Sequence, residues 1–394
     1  MTCIPSTAER PDVLVIGARC AGAATAMLLA RRGLKVLAVD RQAYGSDTLS
    51  THALLRPAVL QLARWGLLDR LAAAGPTPIR RTTFHYGDER IAVDIKAADG
   101  VDALYAPRRR TLDRLLVDAA RDAGAQIRFE TRVVDLLRDG DGRIAGALLC
   151  GPDGRTTAVR ADLVIGADGV RSTVARRVGS PVEHEGRAAG AVIYGYWKGL
   201  EPDGSHWLFR DGLTAGLIPT DNGTVCVFAG MPQARFRAVG RQGLGAVYRS
   251  VLATVDPHLD ALLTQAAPVE TLRGFAGIRG FLRRAHGPGW ALAGDAGYFK
   301  DPITAHGISD ALRDAELLAE AAADGRPEAF ARYQAQRDQL SLPVLEVTDA
   351  IARLDWDLPA LKDHHARLSA AIKHETAVLA ARPAPACAPA VAAE

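Results

Sequence analysis

The chain has no apolar run as long as a membrane span, no paired-cysteine motif and almost no imbalance of charge. Each lack excludes something. A bilayer crossing needs about 20 consecutive apolar residues, so no stable membrane insertion is expected. The opening MTCIPSTAERPD lacks the apolar centre of a secretory signal, and the chain reads as cytoplasmic. Five cysteines (Cys3, Cys20, Cys150, Cys226 and Cys387) are scattered without a C-x-x-C pair, so neither a disulfide frame nor a metal site is expected. Lys+Arg 48 against Asp+Glu 45 leaves a net charge of +3, and no basic run with interleaved aromatics occurs. Nucleic acid is therefore not an expected partner. What remains is a globular chain of 394 residues, 48% hydrophobic, able to bury two cores.

Residues 12–40 form a compact β-α-β pattern: the apolar "VLVI", a glycine turn, an alanine-rich helix stopped at Gly33, and a second strand "KVLAVD". Strands joined in this way lie parallel. Helical periodicity follows in "RPAVLQLARWGLLDRLAAAG" and "RRTLDRLLVDAARDAGA", while "RRTTFHYGDERIAVDIKAADG" alternates about Gly87-Asp88 like a hairpin. From about 185 to 285 the chain carries short alternating runs cut by glycine and proline, which reads as antiparallel sheet. The α/β texture returns in "GWALAGDAGYF" and the helical "GISDALRDAELLAEAAADG". The expected fold is α/β: a Rossmann-like nucleotide-binding domain (10–79, 106–180 and 286–345) interrupted by a mainly antiparallel β-sheet substrate domain (80–105 and 181–285). C-terminal helices (346–381) and a disordered tail rich in proline and alanine (382–394) follow.

The chemistry lies where these strands end. In "VLVIGARCAGAATAMLL", Gly17 allows the turn and Gly22 the close packing of helix on strand, and the first amides of the helix favour an anion. The middle glycine of such loops is absent, with Arg19 in its place; it is tolerated if its backbone keeps a negative φ. Asp40, followed by Arg41, ends the second strand about twenty residues on and suits the hydroxyls of a ribose. A carboxylate there disfavours a 2′-phosphate, leaving FAD or NAD ahead of NADP. Two further strands end in acids: "LVIGADGVRSTVAR" in Asp168-Gly169, and "WALAGDAGYFKDPITAHGISDAL" in Gly294-Asp295, with Pro302 and Gly307 leading into a helix. Each acid taken singly could also be a helix cap.

Together and in this order, the three motifs resemble the FAD-dependent monooxygenases of the para-hydroxybenzoate hydroxylase type, a superfamily that includes flavin-dependent halogenases and geranylgeranyl reductases. The likeness runs from Asp12 to Ala319. It implies that the glycine loop holds the FAD pyrophosphate, Asp40 the adenosine ribose and Asp295 the ribityl chain, with Asp168 beside the flavin and the path of NADH or NADPH. Arg109, in Arg109-Arg-Thr-Leu-Asp113, matches a further pattern of the family and becomes a flavin contact, with Arg108 and Arg110 as neighbours able to share that role. "PITAHGIS" departs from the P-x-x-G-x-G-x-N of relatives. There His306 is a candidate proton donor, or else a packed or capping histidine, and amides near Gly307 favour negative charge on reduced flavin. His52 and Arg56 fall where relatives pass a loop over the flavin, or else take a buried structural role, Lys300 and Asp301 read as a salt-bridged surface turn, and Tyr194, Tyr196, Trp197, Trp207 and Phe209 either roof the site or fill a core.

The implied reaction is oxygenation of an electron-rich aromatic or polyketide-like small molecule of secondary metabolism, by molecular oxygen through a flavin C4a-hydroperoxide. The alternative is a reductase or dehydrogenase acting on C=C or C–H bonds. A halogenase is disfavoured because W-x-W-x-I-P is absent, and a flavin-carrying redox sensor ranks below the enzymes. No second glycine fingerprint is present, so NADH or NADPH binds transiently, or a partner flavin reductase supplies electrons.

Overall fold

The computed structural model describes residues 10–50, 53–210 and 212–383. The expected tail lies outside these residues from 384 onward, as does His52. From its start, β1 (Val13–Ile16) runs through Gly17 into α1 (Cys20–Ala30), and β2 (Val36–Val39) returns parallel to β1. Both strands are buried throughout, as parallel strands covered on two faces must be. Helix α1 is buried from Cys20 to Leu29, which explains its lack of a polar face.

The chain continues through α2 (Arg56–Arg64) into a hairpin of β3 (Arg81–Tyr86) and β4 (Glu89–Asp94), then α3 (Arg109–Asp122). Strand β5 (Leu163–Gly166) lies parallel to β1 on the side away from β2, and α4 (Thr173–Val178) follows it. Next come β6 (Gly190–Lys198), β7 (Ser205–Arg210), β8 (Leu213–Pro219) and β9 (Val225–Pro232). The order β6-β9-β8-β7 is antiparallel, and β7 then takes β3 as a parallel neighbour, leaving β4 at the sheet edge. Strand β10 (Trp290–Leu292) returns to the first sheet beside β5. Three helices close the described chain: α5 (Gly307–Asp324), α6 (Pro327–Ala352) and α7 (Leu358–Ala380).

Period-2 alternation gives the second sheet two different faces. Ala191, Ile193, Leu208, Val225, Val227 and Ala229 pack on the helix Leu244–Val255, while Tyr194, Tyr196, Ile218, Cys226 and Phe228 form a separate cluster on the opposite face. Among the described residues no helix is long and apolar enough to cross a membrane.

Candidate FAD and substrate site

Three strand ends converge on the start of α1. Gly17 adopts φ +99°, and a Cβ there would lie 2.3 Å from the carbonyl oxygen of Ala167, which follows β5. A Cβ on Gly22 would stand 1.7 Å from the Gly17 oxygen, and one on Gly294 would stand 2.9 Å from Ala21 Cβ. The glycines are therefore required by close approach, and that approach is what brings the motifs of β1, β5 and β10 together. Asp40 accepts from Ala18 N (2.9 Å) and Gln42 N (2.8 Å), so its carboxylate first of all shapes the loop. Its second lone pairs remain for a sugar. Arg41 is exposed.

Arg19 sits before α1 with φ −95°, and its guanidinium donates to Ser46 O (3.2 Å), Ser46 Oγ (3.0 Å) and Asp113 Oδ2 (3.0 Å). It fastens the 41–50 loop and α3 to the mouth of the cradle. Arg109 donates to both oxygens of the same buried Asp113. Asp113 thus joins the starts of α1 and α3. Asp168 accepts from Ser172 Oγ and from Thr173 N, at 2.5 and 2.6 Å, so it caps α4. Burial raises its pKa, with those bonds opposing the shift.

Asp295 behaves differently, because its carboxylate has no hydrogen-bond partner among the described residues. Burial pushes its pKa up to about 6, against the pull of Lys300 and Arg109. An acceptor left unsatisfied beside the cradle, together with the amides of Cys20, Ala21 and Gly22, which have no protein acceptor among the described residues, fits the ribityl and pyrophosphate parts of FAD.

Three expectations for the site are corrected, two of them at the turn from β10 to α5. Lys300 and Asp301 do not form a surface turn: both are buried, Lys300 paired with Asp310, while Asp301 accepts from Gly190 N and Ile303 N. Burial lowers Lys300 to about 7 and raises Asp301 to about 6. His306 does not serve the site as an accessible donor. It is fully buried, with Nε2 2.5 Å from Glu375 Oε2, because α7 packs its Glu375 against the base of α5. Burial lowers the His306 pKa, Glu375 opposing; burial of Glu375 is outweighed by His306 and Arg313, which hold that carboxyl at about 2. His306, Asp310 and Glu375 have the spacing of a metal site, yet Lys300 and Arg313 already neutralise both carboxylates. Arg56 is the third correction: it points to the carbonyl oxygens of Lys96, Ala98 and Val101, since its place at the start of α2 faces that loop.

A cavity opens between the second sheet and this turn, lined by Val192, Trp207, Thr214, Phe228, Ile303 and Leu354, with Pro302 beside them. Trp207 and Phe228 meet at 5.1 Å between ring centroids. The expected aromatic roof divides by strand parity. Tyr194 and Tyr196 share the cavity-side face, whereas Trp197 stacks on Tyr248 behind the sheet. Phe209 lies in a cluster with Tyr86 and Trp356 beneath α7.

Sequence reasoning missed an ion cluster next to this face. Arg108 is buried, lies 3.6 Å over the Tyr196 ring, and donates to Asp47 (2.6 Å) and Glu270 (2.8 Å). Arg273 completes it on Glu270 at 3.1 Å. These residues come from four separate segments, and only the run Arg108-Arg109-Arg110 hinted at them. The same holds for Glu375, which sits on an unremarkable helical repeat.

A parallel sheet with acids at its strand ends, a glycine cradle and a separate antiparallel sheet roofing a cavity defines a flavin-type oxidoreductase fold. Residues 10–347 match the FAD binding domain family, and the chain belongs to that family. It is similar to menaquinone reductase of Mycolicibacterium smegmatis, 30% identical over 329 residues covering 80% of this chain and 77% of that one. Digeranylgeranylglycerophospholipid reductase of Methanosarcina mazei is 29% identical over 334 residues, covering 80% and 75%. Solved structures of similar fold include FAD-dependent monooxygenases and halogenases; a probable FAD-dependent monooxygenase from Pseudomonas aeruginosa superposes with TM-score 0.74 at 22% identity, over 93% of this chain and 100% of that one. The protein is an FAD-dependent oxidoreductase of this superfamily.

Proposed function

We propose that the protein is an FAD-dependent monooxygenase acting on a flat, largely apolar small molecule bound between β6–β9 and the Asp301–Ile303 turn. The observation that carries this reading is the apolar lining of the cavity, where Trp207 and Phe228 lie with Pro302 and Ile303 and Thr214 adds a polar side group; at about 30 Å³ it must widen to admit a ring. Such a slot excludes water and presents π-faces to a ring. FAD, when bound, supplies electron transfer and reactivity toward oxygen. The chain does the rest. Gly17, Gly22 and the first amides of α1 hold the pyrophosphate, Asp40 and Arg41 border the adenosine ribose, and Arg109 and Asp295 border the ribityl chain. The start of α5 at Gly307 favours negative charge nearby. NADH, NADPH or a partner reductase delivers the electrons.

A second reading, a reductase of C=C bonds, is favoured by the names of the two curated relatives. An apolar slot would serve an isoprenoid chain as well as a ring. The discriminating experiment reduces the flavin anaerobically, adds a panel of phenols, polyketide-like aromatics and polyprenyl compounds, and then admits labelled oxygen. Label in a product supports the monooxygenase. Product formed before oxygen is admitted, with the flavin returned to its oxidised form, replaces it with the reductase.

A further inference from the structure

The edge strand β4 pairs with β3 along one edge and, among the described residues, with no strand along the other. All six residues from Glu89 to Asp94 are exposed, and Ile91 (40%) and Val93 (45%) are among the few large apolar side chains so exposed in the described chain. A bare edge with apolar residues is ordinarily protected or paired. The hairpin geometry says which backbone groups are available. Tyr86 opposes Glu89 across the two-residue turn, and further along Ile95 N donates to Arg80 O at 2.8 Å. The odd-numbered residues of β4 therefore direct their N–H and C=O groups toward β3, and Arg90, Ala92 and Asp94 direct theirs outward.

We propose that β4 is a docking edge for a second copy of this chain, which pairs antiparallel to it about a two-fold axis at Ala92 and continues the sheet across the dimer. Only registers that oppose outward-directed residues can form the ladder, and the charges choose among them. Centred on Ala92, Arg90 faces Asp94 of the second copy twice, Ile91 faces Val93 twice, and Asp88 and Lys96 fall opposite each other just beyond the strand. Sliding the pairing one way sets Asp88 against Asp94, and sliding it the other way sets Arg90 against Lys96; a further step in either direction opposes Arg90 to itself or Asp94 to itself. Like charges directly opposite are destabilising, and opposite charges and apolar pairs favour the ladder. The pairing at Ala92 is thus the one register with every charged pair complementary, and it covers Ile91 and Val93 at the same time. Arg81, which pairs with Asp94 at 2.7 Å, and Asp203, which lies 3.6 Å from Arg90, flank the new ion pairs.

The test is sedimentation velocity on the full FAD-loaded chain across a dilution series, with four variants. Wild type is expected to dimerise. Ala92→Pro, which removes one outward N–H on each copy, is expected to weaken the dimer at least tenfold. Arg90→Asp and Asp94→Arg singly are each expected to do the same, and the double exchange Arg90→Asp/Asp94→Arg to restore dimerisation to within threefold, since it reinstates opposite charges in the same register. FAD content is expected to be equal in all of them. A wild-type chain that stays monomeric at the highest concentration overturns the proposal. So does a dimer indifferent to Ala92→Pro, or a double exchange that fails to rescue while its FAD content and melting curve match wild type.

Discussion

Replacing Gly22 by alanine tests the cradle with the smallest possible change. The added Cβ would stand 1.7 Å from the Gly17 carbonyl oxygen and 2.7 Å from its carbon, both backbone atoms that no side-chain rotation can remove. To reach even 3.0 Å from that oxygen, α1 and the β1 turn must part by about 1.3 Å. The Cβ would also approach Ala167 Cβ at 3.2 Å, so the turn after β5 offers no room in that direction. Forcing such a contact costs about 1–3 kcal/mol in stability. The shift also moves the first amides of α1 off the pyrophosphate, and each charge-assisted hydrogen bond lost removes about 1.5–3 kcal/mol of binding. One or two such losses weaken FAD by at least about tenfold and by as much as about 10,000-fold. Titration of deflavinated protein with FAD, followed by flavin fluorescence, reads the affinity, and thermal unfolding of the apo-protein reads the packing cost separately. Gly245→Ala, on the helix Leu244–Val255 behind the second sheet, is the control: a Cβ there meets nothing within 4 Å, and FAD affinity is expected to stay within about threefold. Gly22→Ala protein that binds FAD as tightly as wild type would refute the cradle.

Asp295→Asn is expected to weaken FAD about ten- to a hundredfold by removing an ionised acceptor, yet to stabilise the apo-protein at neutral pH. The folded pKa of about 6 lies above the ordinary 3.8, so the stability that Asp295 contributes is complete below pH 3.8 and lost as pH rises through 6. Urea unfolding should favour the variant by up to about 3 kcal/mol at pH 7.5 and not at pH 4; a variant less stable at pH 7.5 sinks the argument. Glu375→Ala strands buried His306 and part of Arg313, and a loss of about 3–5 kcal/mol is expected in the same assay. A loss below about 1 kcal/mol would mean that α7 does not brace α5. Arg19→Ala removes the bonds to Ser46 and Asp113, so limited proteolysis within 41–50 should quicken while Arg109 still holds Asp113; unchanged cleavage would deny Arg19 its fastening role.

The β-α-β opening, the return of α/β texture at Trp290 and the antiparallel insertion were legible because they depend on local periodicity and on glycines that backbone geometry demands. The strand ends at Gly17, Asp168 and Asp295 were legible for the same reason: a parallel strand must end before its ligand, and the residue that ends it is a neighbour in sequence. Direction of side chains was another matter. The sequence leaves His306 open between an accessible proton donor and a packed histidine, and the structure buries it against Glu375, 69 positions away. Arg56 was turned to the loop at Lys96, Arg108 to Glu270, and Lys300 from surface to core. Each of these depends on a partner from a distant segment, and no pattern within a window of the chain encodes which distant charge arrives. Buried charges select partners by desolvation, a cost that exists only after the whole chain has closed around them. The sequence alone therefore determined the elements, their order and the glycines on which they pack, while tertiary structure decided which ionisable groups face the site and which are consumed in holding it together.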